Sequence, residues 1–69
     1  MSRRVLARKW RVVEAGERVV CYHTKLEQRS EDRSIWTDDG QEVLGSSEWM
    51  RVDKGVLEHI VTLHNLTTP

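Results

Sequence analysis

Apolar residues along this chain fall into three patterned blocks separated by charged or glycine-bearing stretches. The first, "RVVEAGERVV" over Arg11–Val20, places two Arg/Val-rich runs symmetrically about Ala15-Gly16. Branched and aromatic residues on both sides of a glycine predict a β-hairpin with Gly16 in the left-handed position of a three-residue loop. In that register Trp10 faces Val20 and Val12 faces Arg18. The even-numbered face then gathers Leu6, Trp10, Val12, Val20, Tyr22 and Leu26 into a core, with Arg8 and Arg18 lying along its edge. A competing reading makes Ser2 the cap of a helix through Leu6, Trp10 and Val13 that ends at Gly16. The hairpin is preferred because "RVVCYHT" is a strong strand sequence that needs a partner.

Leu26–Ser34 is polar and without period, which predicts a loop. In Ser34–Leu44, Asp39-Gly40 predicts a second hairpin through a tight type I′ turn, with Trp36 opposite Val43 and Ile35 opposite Leu44. Gly45-Ser46-Ser47 reads as a turn, and "EWMRV" as a fifth strand or an irregular stretch. Asp53 is placed to cap a last helix ending near Asn65. Its apolar stripe is Val56, Leu57, Ile60, Val61 and Leu63. The expected fold is therefore α+β: a small antiparallel sheet of two consecutive hairpins, three to five strands in all, packed by one C-terminal helix. Residues 1–69 form one domain, with short tails at about 1–3 and 67–69.

Composition bounds what such a domain can be. Sixty-nine residues give a minimal core, and the single cysteine, Cys21, excludes an internal disulfide. Val, Leu and Ile make up about a quarter of the chain, enough to expect folding. Three Trp and one Tyr supply all the aromatic bulk. No apolar run is long enough to cross a membrane, and the basic N-terminus is not followed by the apolar stretch of a secretory signal. An unpaired cysteine then points to a reduced, cytoplasmic setting.

Net charge is zero, yet residues 1–33 carry nine Lys/Arg against five Asp/Glu, and residues 34–69 carry two against six. That is +4 in one half and −4 in the other. The simplest expectation is that the two halves neutralise each other on folding. The same asymmetry also suits head-to-tail association.

No motif for catalysis or cofactor binding is present. The four glycines stand apart from one another, so there is no phosphate loop, and no serine or cysteine lies in a nucleophile motif. Asp38-Asp39 and Glu31-Asp32 are explained by turn and loop chemistry. Cys21, His23, His59 and His64 are the only zinc-like ligand types. Cys21 and His23 share a strand face, whereas His59 and His64 point about 140° apart on a helix, so a tetrahedral site is not expected. The expectation is a non-enzymatic protein without cofactor, metal or small-molecule substrate.

Binding remains. A domain this small cannot enclose three indoles, and Trp49, in the irregular stretch with Met50 and Arg51 beside it, is the leading interface candidate, joined by Trp36. This points to a small regulator or inhibitor that docks on a larger protein and self-associates, as a homodimer, through strand edges or a Trp patch. The alternative is a nucleic-acid binder. Arg4, Arg8, Lys9 and Arg11 crowd the first eleven residues without an acid among them, and a basic ribbon beside Trp10 suits phosphates and bases.

Overall fold

A computed structural model describes residues 3–45 and 53–68. The elements are α1 (Arg3–Ala7), β1 (Trp10–Val13), β2 (Arg18–Val20), β3 (Glu27–Arg29), β4 (Ser34–Thr37), β5 (Glu42–Leu44) and α2 (Lys54–Thr67). They form two antiparallel sheets, β1-β4-β5 and β2-β3, with α2 packed mainly on β1 and less on β4. The α+β class, the antiparallel pairing and the covering C-terminal helix are those the sequence predicts.

The pairing of the first block differs from expectation. β1 does not pair with β2; it pairs with β4, Val12 opposite Ile35 and Trp10 opposite Thr37. β2 pairs instead with β3, Val19 opposite Gln28. The two consecutive hairpins are thus β2–β3 and β4–β5. Gly16 does adopt a positive φ (86°). Around it, however, the Glu17 N–H bonds the Glu14 carbonyl, while across to the β3 side the Gly16 N–H donates to the Ser30 carbonyl and the Ser30 N–H to the Glu17 carbonyl. The Ala15-Gly16 turn is a corner that hands the chain from one sheet to the other. The helical alternative for the first segment survives as the five residues of α1, after which the chain turns extended at Trp10.

The inward parity of β2 is consequently reversed, whereas β1 is covered on both faces and Trp10 and Val12 stay half-buried as expected. Val13 and Val19 are buried with Trp36, and Cys21 packs half-buried against them. Leu6, Val20 and Leu26, assigned to the core, are 52, 49 and 68% exposed. Directly opposed residues of antiparallel strands share a face. One face of the central sheet therefore carries Trp10, Val12, Ile35 and Thr37, and the other Arg11, Val13, Ser34 and Trp36. The first is covered by α2 and the second by β2–β3, so all four residues of β4 are buried. A strand covered on both sides has no need of alternation. Its two polar members are satisfied: Ser34 Oγ accepts from the Trp36 indole N–H at 2.9 Å, and Thr37 Oγ1 donates to Asp39 at 2.6 Å and accepts from the Gln41 N–H at 2.9 Å.

The β4–β5 turn is a three-residue loop, Asp38-Asp39-Gly40, closed by the Gly40 N–H on the Thr37 carbonyl. Gly40 alone in the loop has a positive φ (101°), which excludes the type I′ geometry that needs two such residues. The extra residue bulges the ladder: Ile35 faces Leu44 as expected, but Trp36 faces Glu42 in place of Val43. β3 occupies the segment read as a loop. All three of its residues are exposed, so it presents no apolar pattern to read.

Candidate functional site

The surface with most chemistry on offer is organised by α2. Asp53 starts the helix as expected, its carboxylate accepting from the Gly55 N–H at 2.7 Å. Leu57, Ile60, Val61, His64, Asn65 and Thr68 recur at helical spacing and are the buried or half-buried positions. Leu57 is fully enclosed. At the far end the contact is polar and specific. Asn65 pairs with the backbone of Trp10 in both directions: Oδ1 accepts the Trp10 N–H at 2.9 Å and Nδ2 donates to the Trp10 carbonyl at 3.0 Å. The side-chain amide thus acts as a substitute strand at the edge of β1. His64 stacks flat on the Trp10 indole, centroids 3.6 Å apart, and its Nε2 donates to the Arg8 carbonyl at 2.7 Å. The indole N–H donates to the Val5 carbonyl at 2.8 Å, fastening α1 to the same corner.

That clamp fixes the rotation of α2 and so decides what faces outward. Val56, Leu63 and Leu66 are 51, 52 and 77% exposed. With His59, also exposed, they repeat at i, i+3, i+7 and i+10 along the outer surface. The stripe read from the sequence as one face is therefore divided. Leu57, Ile60 and Val61 turn inward, whereas Val56 and Leu63 turn out. The helix also runs to Thr67, two residues past the expected end.

The basic N-terminus is tied to carboxylates, distant in sequence for Arg4 and Arg8 and near for Arg11. Arg4 pairs with Asp39 and lies over the Tyr22 ring, 3.5 Å from its centroid. Arg8 pairs with Asp38 at 2.8 Å, and Arg11 with Glu17 at 2.5 Å. Glu14 holds both Lys54 (2.9 Å) and Arg33 (3.0 Å). Hydrogen bonds from Lys54 and Arg33 lower the Glu14 carboxyl below its usual range, and the hydrogen bond from Arg11 does the same for Glu17. Burial pushes the Asp39 carboxyl up, but hydrogen bonds from Thr37 and Arg4, with the charges of Arg4 and Arg8, outweigh it and the net shift is downward. The Asp38 contact raises the Arg8 guanidinium, and Glu14 raises the Lys54 ammonium.

Of the residues singled out from the sequence, Trp49, Met50 and Arg51 lie outside the described residues. Trp36 is only 5% exposed; it forms the floor of three shallow clefts of about 190–230 Å³ and is not a protruding anchor. Arg4, Arg8 and Arg11 are brought to one end of the molecule with their carboxylate partners, and Lys9 is exposed there, its carbonyl accepting from the Asp38 N–H. Cys21, His23, His59 and His64 are dispersed: against the Val13–Val19–Trp36 cluster, edge-on to Tyr22, on the outer face of α2, and on Trp10. Among the described residues no group of three or more His, Cys, Asp or Glu side chains is arranged to hold a metal ion. No helix among them is long and apolar enough to cross a membrane. Sequence reasoning missed Leu66, which lies beyond the expected helix end, and Asn65, whose pairing with a backbone 55 residues away has no local signal. No protein-family model, curated protein or solved structure matches the chain.

Proposed function

We propose that this chain is a non-enzymatic protein-binding module that acts by docking the outer face of α2 on an apolar surface of another protein, as a small regulator or inhibitor in a reduced, cytoplasmic setting. The observation that carries this reading is the second apolar stripe of α2. Val56, Leu63 and Leu66 face solvent on a helix whose opposite side already supplies the core contacts. A helix on a small domain needs one apolar face to fold. A second one is the form taken by helix-in-groove recognition, read through anchors at such spacings. The helix is clamped in place at Asn65 and His64, so little ordering cost opposes docking.

The nucleic-acid reading draws less support. Phosphate binding relies on cations free to displace counterions. Arg4, Arg8 and Arg11 each carry a carboxylate partner, so the positive field at this end is reduced where the sequence would concentrate it.

Affinity capture from a host lysate, with and without nuclease, tests the assignment. The expected result is a partner retained through nuclease treatment and lost when the bait carries Leu63→Glu with Leu66→Glu. Loss on nuclease treatment, with the double variant unimpaired, would transfer the function to nucleic acid.

A further inference from the structure

The outer stripe of α2 has a composition that selects its occupant. Val56, His59, Leu63 and Leu66 have a and d heptad spacing. The positions flanking that seam are Gly55, Ile60, Thr62 and Thr67. In a chain that is 32% charged, neither the seam nor its flanks hold a Lys, Arg, Asp or Glu. The two charged residues of α2, Lys54 and Glu58, lie off the seam, and Lys54 is engaged by Glu14. A surface without charge is complementary to itself, because the like-charge contacts that normally forbid a twofold pairing do not arise. The small flanking residues Gly55, Thr62 and Thr67 let two such helices approach closely. Zero net charge removes the long-range repulsion between copies as well.

We infer that the occupant of this stripe is a second copy of the chain, with the two α2 helices antiparallel across a twofold axis. Val56 then packs on Leu66 of the second copy and His59 on its Leu63. Antiparallel pairing sets the positive end of each helix dipole beside the negative end of the other, whereas parallel pairing opposes like ends. The inference rests on the docking face proposed above and names its partner. Since one stripe serves both, the paired form and docking on a different protein are mutually exclusive, and self-pairing is the state that keeps the face covered.

Sedimentation equilibrium of the purified full chain tests this. The wild type is expected to be a dimer that dissociates on dilution, and Leu63→Glu to weaken association by at least about 100-fold by facing a charge into the apolar seam. His59→Leu, which removes the one polar group of the seam, is expected to tighten it. All these positions are exposed in the single chain, so thermal melts of the variants at low concentration should match the wild type and exclude unfolding as the cause. With Cys21→Ser as background, oxidising a mixture of His59→Cys and Leu63→Cys chains is expected to give mainly the mixed cross-link. Preferential linking of each variant to itself would overturn the antiparallel arrangement. A wild type that stays monomeric at sub-millimolar concentration overturns self-pairing while leaving docking on another protein intact, provided capture still depends on Leu63 and Leu66. A dimer indifferent to Leu63→Glu overturns this interface too, and loss of capture alone would locate the fault in the docking reading.

Discussion

Gly40 is one of the residues on which the two sheets meet. Its carbonyl accepts the Tyr22 N–H at 2.9 Å, and a Cβ added there would lie 2.0 Å from the Val20 carbonyl oxygen. Both obstacles are backbone, which cannot swing aside, and φ is positive as well. Gly40→Ala is therefore expected to destabilise the fold by about 3 kcal/mol or more, enough to unfold most of so small a domain. Gly45→Ala is the control. Its new methyl group meets only the flexible end of Glu42, so its melting curve should stay close to the wild type's. The sequence signalled Gly40 as a turn residue, and it is one. What it does between the sheets comes from a segment twenty residues earlier.

At the scale of elements, the α2–β1 seam combines one enclosed aliphatic side chain with a polar clamp. Leu57 supplies burial, while Asn65 supplies register by pairing with both backbone groups of Trp10. Replacing Asn65 with Ala leaves an N–H and a carbonyl at the edge of β1 without their partners, at an expected cost of about 1–3 kcal/mol. The urea midpoint should fall with little change in slope, since the same surface is exposed on unfolding. The helix itself was legible from Asp53 and the apolar spacing. Which of its apolar residues turn inward was not, because Val56 and Leu63 are as apolar as Ile60 and Val61. The division follows from the rotation that Asn65 and His64 impose. The strands show the same limit. Val12-Val13 and Val19-Val20 are adjacent apolar pairs, so periodicity cannot choose between parities.

Over the whole molecule, the charge asymmetry of the chain is met in part by pairing between its halves. Arg4 and Arg8 of the basic half reach Asp39 and Asp38 of the acidic one. Glu14, Glu17 and Asp39 have carboxyls depressed below their ordinary values of 4.5, 4.5 and 3.8. A group depressed on folding contributes stability that is present above its unfolded value and lost as pH falls through the folded one. The melting temperature is thus expected to hold near neutrality and drop progressively below about pH 4.5. These groups are all partly open to solvent, so high salt should flatten the acid limb. A melting temperature that is unchanged down to pH 3 would show that these pairs do not stabilise the fold.

Local chemistry in the sequence determined most of the elements, though not β3: an aspartate cap, glycines where φ must be positive, and branched residues where the chain is extended. It also determined that charge would be dense and the core small. Tertiary structure alone decided that β1 joins β4, and that β4 is covered on both faces. It alone decided that α2 keeps a second apolar stripe in solvent. The reason is physical. Propensity and capping act over a few residues, whereas pairing and helix rotation are settled by which distant surface offers the larger burial and the matching hydrogen bonds.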